Sequence, residues 1–548
     1  ASRYVMKAII DIETDSLNAT KIHCIVSKDY DTGEIKTWAL DECKKFPEWS
    51  QKIDQFIMHN GVSFDAPILN RILNCDIKVS QVRDTLIESQ LFNPIREGGH
   101  SLEAWGDRLN YNKGDFNEFK SYSKDMLEYC IRDTELTWRV AHQLEKEGKD
   151  FSEKSIRLEH NIRTIIDQQQ RNGFAFKIRE ATVLLAQLEQ EERKLEAKAQ
   201  EIFPPTEVQL KTKVKYIPFN IASRKQIAER LQQKGWKPKQ YTDKGNVIVN
   251  EKILNEINMP EAKMFSRFFL LQKRTGLLKS WIKECEEDER VRGRVLTLKT
   301  ITGRMAHHSP NMAQVPAVYS PYGKECRDLW TVGDTNNYSL VGTDASGLEL
   351  RCLAHYMGNK KYIEEVLDGD IHTANMKLAG LTDRDQAKTF IYAFLYGAGA
   401  AKIGKIVGGN AEKGQKLVNT FLNNLPDLKE LRTRIQQEAE SGKVKGLDGR
   451  YLKIRSEHAA LNTLLQGAGA IVCKKWLIHI IKKINMSGLD ARLVASIHDE
   501  YQFEVLNKDV NRFCTITKEA IDLTTRTLNM KCKLDCDYKV GKTWAMTH

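Results

Sequence analysis

The chain has 548 residues, of which 41% are hydrophobic and 29% are charged, so several packed domains are expected and disorder is excluded. No run is long enough to span a bilayer and no signal-peptide pattern is present, which excludes a membrane role. Eleven cysteines without paired CxxC spacing argue against a zinc site or a disulfide framework and indicate the cytoplasm. The net charge of +11 favours a polyanionic partner.

The amino-terminal part reads as mixed α/β, with strands in "YVMKAIIDIET", "IHCIVSKDY" and "FIMHNG" and helices after them. Asp11 and Glu13 lie two residues apart on the first strand and therefore on one face. Asp65 follows a glycine turn, and Tyr129 and Asp133 are spaced i, i+4 on one side of a helix. A DxE pair alone is usually accidental, so the later carboxylates carry the signal.

Two smaller features of this part have alternative readings. Asp84, in "VRDTLIESQLF", either supports the carboxylates or simply caps a helix. The first methionine after the start is Met6, so residues 1–5 are expected to be foreign to the native chain.

Long helix-periodic stretches follow, in "EKSIRLEHNIRTIIDQQQRNG", "REATVLLAQLEQEERKLEAKAQEI" and "AKMFSRFFLLQKRTGLLKSWI". Between the second and the third lies a basic stretch, Lys211 to Lys244, with ten Lys or Arg residues against two acids. It is either a solvated helical surface or a grip on a phosphate backbone.

Two later motifs each place an aspartate where a strand ends. In "LVGTDASGLELRCLAHYM" a strand ends at Asp344 and a helix begins after Ser346-Gly347. In "RLVASIHDEYQFEV" two apolar strands meet at His498, Asp499 and Glu500, where a hairpin usually carries Gly, Asn or Pro. Facing aspartates repel without a cation, and Mg²⁺ prefers such hard oxygen ligands. Two ions about 4 Å apart can activate a hydroxyl and stabilise a leaving pyrophosphate.

A helix between these two motifs has a basic and aromatic stripe. In "TDRDQAKTFIYAFLYGAG", Arg384, Lys388, Tyr392 and Tyr396 recur every four residues, while apolar residues occupy another side. Arginine and lysine suit a triphosphate, and the tyrosines could pack on a sugar and a base. A plain amphipathic helix with exposed basic residues explains the spacing equally well.

Together, "DASGLELRCLAH", "RDQAKTFIYAFLYGAG" and "HDE" resemble motifs A, B and C of the family A DNA polymerases, and most closely a replicative bacteriophage member. "TGRMAHHSPNMAQVP", "GDIHTAN" and "ALNTLLQGAGA" also match in order, over most of residues 295–548 and less tightly in the amino-terminal domain. The resemblance implies an α/β multidomain fold, a ribonuclease H-like 3′–5′ exonuclease domain followed by a right-hand polymerase. The implied segments are 1–150 (exonuclease), 151–295 (thumb and connecting helices), 296–356 (palm), 357–480 (fingers) and 481–548 (palm).

The resemblance also implies a role for each matched residue. The polymerase metal ligands would be Asp344, the Ala345 carbonyl and Asp499, with Glu500 as a secondary acid. The nucleotide would be held by Arg384, Lys388 and His372 at the triphosphate and by Glu349 and Tyr392 at the sugar. The DNA contacts would be Arg304, Gln314 and Gln466, Tyr396 with Gly399 near the template base, and His498 at the primer end. A tyrosine at position 392 predicts tolerance of dideoxynucleotides.

The amino-terminal motifs DxE, NxxxFD and YxxxD are similar to those of the DEDD-type exonuclease found in this family. The resemblance implies that Asp11, Glu13, Asp65 and Asp133 hold two divalent ions and that Tyr129 orients the attacking water. All four acids are present, so we predict a working proofreading site that uses Mg²⁺, with Mn²⁺ as a substitute.

We therefore predict a DNA-directed DNA polymerase with a built-in 3′–5′ exonuclease, acting in phage DNA replication in the host cytoplasm. Expected partners are primer–template DNA, dNTPs and a replisome helicase or single-strand-binding protein. Thioredoxin is not expected, because only "PPTEVQLKTKVKY" stands where the phage relative has a thioredoxin-binding insertion. The alternatives are a single-subunit RNA polymerase, a non-catalytic DNA-binding protein, and a nuclease whose polymerase half only grips DNA.

Overall fold

The computed structural model describes residues 3–548; Ala1 and Ser2, which precede Met6, lie outside the described residues. The chain forms two compact units. The first unit contains Ala1–Asn172, Arg294–His308 and Val341–Val540, and the second contains Gly173–Gly293, Ser309–Leu340 and Gly541–His548. All eleven cysteines are free thiols, as the sequence predicted.

A five-stranded sheet organises the amino-terminal part of the first unit, and it contains the three predicted strands. Its order is β3-β2-β1-β4-β5, with β1 antiparallel to β2 and parallel to β4. The central position of β1 buries apolar residues on both of its faces, including the consecutive Ala8, Ile9 and Ile10. The strands are β1 (Lys7–Thr14), β2 (Ile22–Asp29), β3 (Ile35–Ala39), β4 (Gln55–Met58) and β5 (Val82–Asp84). The helices are α1 (Phe46–Ser50), α2 (Asp65–Leu73), α3 (Thr85–Phe92), α4 (Leu102–Arg108) and α5 (Lys124–Glu147).

The middle of the chain is mainly helical, and its three long helices confirm the predicted periodicity. They are α6 (Glu153–Asn172) in the first unit and α7 (Ile178–Ile202) and α10 (Pro260–Glu284) in the second. The sequence analysis missed a hairpin, β7 and β8, whose strands are largely exposed. The other elements are β6 (Phe174–Phe176), β7 (Thr206–Gln209), β8 (Val214–Ile217), α8 (Arg224–Gln233), α9 (Glu251–Glu256), β9 (Arg290–Val291), β10 (Arg294–Leu296), β11 (Ala306–His308), α11 (Gly323–Arg327) and β12 (Trp330–Thr331).

The carboxyl-terminal part is built on a four-stranded sheet of order β16-β17-β13-β18. Its strands are β13 (Tyr338–Ala345), β16 (Ala491–Ile497), β17 (Glu500–Leu506) and β18 (Cys536–Gly541), and a small hairpin is formed by β14 (Lys443–Lys445) and β15 (Tyr451–Lys453). The helices are α12 (Leu348–Met357), α13 (Lys360–Leu367), α14 (Ile371–Ala379), α15 (Arg384–Leu395), α16 (Ala400–Ile406), α17 (Ala411–Asn424), α18 (Pro426–Glu438), α19 (Ala460–Ser487), α20 (Val510–Thr527) and α21 (Trp544–Thr547). Because β13 and β17 are neighbours, the two motifs with strand-end aspartates meet.

One stretch, Glu457–Ser487, is long and apolar enough to cross a membrane by length and composition, so the prediction that no run has this length was wrong. In the structure 83% of its most apolar window is buried among other elements of the protein. It therefore fits a core helix, whose apolar character serves packing on all sides.

A buried network of charges lies under this helix in the first unit. The Lys474 ammonium binds both carboxylate oxygens of Glu159, at 2.5 and 2.9 Å, and donates to the Thr297 carbonyl at 2.7 Å. Arg450 pairs with Asp448 at 2.8 Å and lies 3.7 Å from Glu159. Two acids and two bases balance, so each buried charge has a partner of opposite sign.

We expect Lys474→Met to lower the free energy of unfolding by about 3–5 kcal/mol, because it strands the buried Glu159 carboxylate. The double variant Glu159→Met/Lys474→Met should lose less, since no acid is left unpaired. Urea denaturation measures both, with Arg512→Ala, which breaks an exposed pair, as the control expected within about 1 kcal/mol of the parent. Equal losses for Lys474→Met and the control would contradict this account.

Candidate polymerase and exonuclease sites

The β16–β17 hairpin places Asp499 beside the end of β13. The Ala345 amide donates to the Asp499 carbonyl over 3.0 Å, which joins the residue after Asp344 to the hairpin tip. His498 adopts φ +53°, a conformation that costs a non-glycine residue energy, so the tight two-residue turn is formed at the expense of strain. The predicted meeting of Asp344 with Asp499 is therefore confirmed at the level of the backbone.

The electrostatics of this tip indicate a site built for a cation. Burial first, then the negative charges of Glu349 and Asp344, raise the pKa of Asp499 to about 6, and Arg304 opposes that rise. The Cys473 thiol lies 3.8 Å from an Asp499 carboxylate oxygen. The sequence analysis missed Cys473, although its position two turns after Gln466 on α19 was a usable signal.

A small cavity opens beside the tip, and Arg304, His498 and Asp499 all line it. Gln466 is half-buried on α19, one turn before Ala470 of the same lining. Glu500 is buried, and its carboxylate accepts a 2.6 Å hydrogen bond from Gln502.

The remaining predicted DNA contacts lie elsewhere. Gln314 is exposed in the second unit, and Gly399 precedes the first residue of α16. Their contacts to DNA stay predictions.

Helix α15 has the two sides that its sequence predicted. Its buried side contains Ala387, Phe390, Ile391 and Leu395, while Phe394 is only partly buried. On the other side Arg384 forms a bidentate pair with Asp370, the residue that caps α14, and both side chains are about half exposed at 48%. Arg384, the residue predicted to contact the triphosphate, is therefore accessible to solvent, but its guanidinium is paired with the Asp370 carboxylate.

Two aromatic contacts connect this helix with its surroundings. The rings of His372 and Tyr392 lie 6.0 Å apart, and burial together with Glu349 raises the pKa of Tyr392. Tyr396 stands just after the last residue of α15 and donates a 3.2 Å hydrogen bond to Glu349. Glu349 thus contacts Tyr396 directly, whereas the sequence analysis had paired it with Tyr392.

A second cluster of carboxylates lies on the five-stranded sheet. Asp11 and Glu13 share β1, Asp65 begins α2, and Tyr129 and Asp133 lie on α5, which packs on β1 and β2. The structure brings these residues together as the sequence predicted.

Burial and mutual repulsion dominate this cluster. Burial first, then Asp133, raise the pKa of Asp11 to about 8. Burial first, then Asp11, raise the pKa of Glu13 to about 10, and the pKa of Asp65 rises for the same two reasons. Burial raises the pKa of Asp133 only to about 6, because Lys113 and Tyr129 oppose that effect.

Two members of the cluster were missed from the sequence. Ligand atoms of Asp11, Glu13 and Cys130 lie within 4.8 Å of one another, and the Cys130 thiol donates to the Asp11 carbonyl. Lys113, from the loop before α5, lies 3.7 Å from Asp133. Cys130 follows Tyr129 directly, but nothing in the loop sequence marked Lys113.

Asp84 does both things that its two readings proposed. It caps α3 through the Leu86 amide, and it accepts hydrogen bonds from the amides of Asn60 and Val62, at 2.9 and 3.1 Å. Those amides belong to the turn before α2, which begins at Asp65. The Asp84 carboxylate therefore also holds the backbone that leads to Asp65.

Both clusters fit divalent cations by their donor chemistry. The ligands are hard carboxylate oxygens, which Mg²⁺ prefers. In the cluster around β1 the buried Asp133 Oδ1 has no hydrogen-bond partner within residues 3–548, so it has an unused acceptor. A bound cation would complete that shell and offset the repulsion that raises the pKa values.

Comparison with known proteins gives consistent results. The model of DNA polymerase family A matches residues 184–546. The DNA-directed DNA polymerases of Escherichia phage T7 and Enterobacteria phage T3 are 31% and 30% identical, over 98% of this chain and 100% of each relative. DNA polymerase I of Geobacillus stearothermophilus is 23% identical over 84% of this chain and 55% of its own length.

A solved structure has the same fold. It is the POL domain of Pol1 from M. smegmatis in complex with DNA primer-template and dNTP, with a TM-score of 0.82 and 17% identity, over 99% of this chain and 96% of that one.

The raised pKa values predict how stability depends on pH. Carboxyl groups titrate near 4 in the unfolded chain but at about 6 to 10 here, so the folded state binds more protons and its stability falls as pH rises through this range. In EDTA the melting temperature should fall between pH 7 and pH 9, above the range in which histidines such as His59 and His160 gain protons on unfolding. Mg²⁺ should raise it more at pH 9, because the ion binds deprotonated carboxylates.

Thermal melts with and without Mg²⁺ test this dependence. Glu13→Gln removes a group whose pKa is raised to about 10 and should flatten the profile in EDTA. A profile in EDTA that rises toward pH 9 would contradict the assigned shifts.

Proposed function

The chain belongs to DNA polymerase family A, and from that membership we propose a two-metal polymerase with an intrinsic 3′–5′ proofreading exonuclease. The observation that carries the polymerase half is the hairpin tip. There Asp499 contacts the end of β13, next to Asp344, and lines a cavity together with Arg304 and His498. Template-directed extension of a primer by dNTPs is the reaction that these residues suit.

In this proposal Asp344, the Ala345 carbonyl and Asp499 hold Mg²⁺. When bound, the ions would activate the primer 3′-hydroxyl and stabilise the leaving pyrophosphate. Arg384 and Lys388 bind the triphosphate, and Arg384 exchanges Asp370 for it. Loss of the Arg384–Asp370 pair on nucleotide binding would couple to a rotation of α15. Such a rotation is the closure of a fingers helix, which excludes water from the site.

The DNA and sugar contacts complete the polymerase proposal. Arg304 and Gln466 donate to the minor-groove acceptors that every correct pair presents, which checks shape without reading sequence. His498 meets the primer end. Glu349 limits the space at the 2′ position and thereby favours deoxyribose.

The exonuclease half rests on the second cluster. Asp11, Glu13, Asp65 and Asp133 hold the divalent ions, and Tyr129 orients the attacking water. Asp11 and Glu13 on β1, Asp65 on α2 and Asp133 on α5 have a spacing fixed by these packed elements, which hydrolysis of a primer end requires.

The wider setting is proposed from the relatives and the charge. Phage DNA replication in a host cytoplasm is the proposed role, with primer–template DNA and dNTPs as substrates. The basic stretch 211–244 includes exposed lysines on and around the β7–β8 hairpin, suited to backbone phosphates. A replisome helicase or single-strand-binding protein remains a proposed partner, and thioredoxin is not proposed as one.

The two proposed activities can be separated in one primer–template assay. Asp344→Asn and Asp499→Asn should each lower extension by at least about 10²–10³-fold, because a metal ligand contributes several kcal/mol to the transition state. Degradation in the absence of dNTPs should continue. Asp11→Asn and Glu13→Gln should show the reverse.

Asp334→Asn changes an exposed aspartate of the second unit and is the control. If the Asp344→Asn variant still extends primers, the assignment of the polymerase site is wrong. If the Asp11→Asn variant still degrades primers, the assignment of the exonuclease site is wrong. Loss of both activities in one variant, with a lowered melting temperature, would indicate misfolding. An RNA polymerase would prefer rNTPs in the same assay, a DNA-binding protein would extend nothing, and a nuclease would only degrade.

We expect Tyr392→Phe to raise discrimination against dideoxynucleotides by about 10- to 100-fold. The phenol hydroxyl can stand in for the missing 3′-hydroxyl, and one such hydrogen bond contributes about 1–3 kcal/mol. Competition between dNTP and ddNTP at one template position measures the ratio. Tyr396→Phe should leave it unchanged, and an equal effect of both variants would assign the hydroxyl role elsewhere.

A further inference from the structure

Lys113 brings a positive charge into the acidic cluster of the five-stranded sheet. Its ammonium donates a hydrogen bond to the Tyr129 hydroxyl oxygen and lies 3.7 Å from an Asp133 carboxylate oxygen. It also lies 5.0 Å from the centre of the Tyr129 ring. With 32% of its side chain exposed, it faces both the cluster and solvent.

The loop that carries Lys113 is fixed at several points. A side chain at Gly106 would lie 2.8 Å from the Tyr111 carbonyl, and one at Gly114 would lie 2.7 Å from the Tyr129 ring. Each contact is too close for a Cβ atom, so the chain passes here only with glycine. Arg132 on α5 also donates to the Asn112 carbonyl over 2.6 Å, which holds the loop on the helix that carries Tyr129.

Aromatic packing limits the movement of Tyr129 itself. The rings of Phe116 and Phe119, from the same loop, lie 5.6 and 6.2 Å from its ring. Loop and tyrosine therefore form one packed group.

The direction of the Lys113–Tyr129 hydrogen bond follows from the chemistry of the two groups. An ammonium has donors only, so the phenol oxygen accepts. The single phenol proton is then left to donate elsewhere. Tyr129 and Asp133 lie one helical turn apart on one side of α5, so this donor lies on the side of the helix that carries the carboxylate.

We propose that Lys113 is a positioning residue of the exonuclease, which fixes Tyr129 as a hydrogen-bond donor toward the attacking water or the scissile phosphate. The inference rests on the proposed exonuclease activity. Lys113 acts through Tyr129, so its contribution disappears when the phenol hydroxyl is removed. A lysine that only balanced the charge of the acids would contribute whether or not that hydroxyl is present.

A double-mutant cycle on the full chain separates these roles. The substrate is a labelled single-stranded oligonucleotide degraded in Mg²⁺ without dNTPs. Lys113→Met should lower kcat about 10- to 100-fold, the usual effect of losing a group that orients a site residue. Lys113→Arg should retain most activity, because it keeps a charged donor. In a Tyr129→Phe background, Lys113→Met should cost no more than about twofold.

Three further measurements complete the test. Lys120→Met, an exposed lysine of the same loop, is the matched control and should match the parent. Primer extension should be unchanged in every variant, which shows that the chain is folded. Anisotropy in EDTA should give the same oligonucleotide affinity for Lys113→Met and the parent, since a positioning residue does not hold the substrate.

Several results would overturn the inference. They are full activity of Lys113→Met, an equal loss in the Tyr129→Phe background, no rescue by arginine, and a tenfold loss of oligonucleotide affinity. A parent chain without degradation, or degradation that survives Asp11→Asn, would overturn the proposed exonuclease and the inference together. If the parent chain degrades the oligonucleotide, Asp11→Asn abolishes that activity and Lys113→Met leaves it unchanged, only the inference about Lys113 is overturned.

Discussion

Repulsion between buried carboxylates is the constraint that shapes both sites. Asp499 lies near Asp344 and Glu349, and Asp11 lies near Glu13 and Asp133, at buried or half-buried positions where water screens the charges only in part. Such acids would move apart if their backbones were free to do so. Each therefore lies on a strand, at a hairpin tip or on a packed helix, and the stability of the surrounding core holds the charges together until cations bind.

The scaffold meets this constraint with backbone contacts. The Ala345 amide connects the end of β13 with the hairpin tip, and the carboxylate of Asp84 holds the turn ahead of Asp65. Local features follow from the same need. His498 accepts a positive φ where a glycine would be relaxed, because the turn must place the next carboxylate beside β13.

Periodicity and motif spacing predicted most of the elements and the pairs of acids, because those signals depend on neighbouring residues. The long helices, the central strand and the meeting of Asp344 with Asp499 are all confirmed. Contacts set by loops and by the ends of elements were not predictable. Lys113 reaches Tyr129 through a loop without periodicity, and Tyr396 reaches Glu349 because α15 ends one residue earlier.

Helix α6 explains why the two clusters belong to one compact unit. Its Glu159 binds Lys474 of α19, and the next residue, His160, accepts the Asp84 amide at 2.8 Å. Burial lowers the pKa of His160 to about 3, so the ring stays neutral and can accept that bond. Separating α6 from either neighbour would strand a buried charge or an unpaired amide, which costs more than a surface contact does. These two contacts of α6 therefore hold both clusters on one scaffold within the first unit.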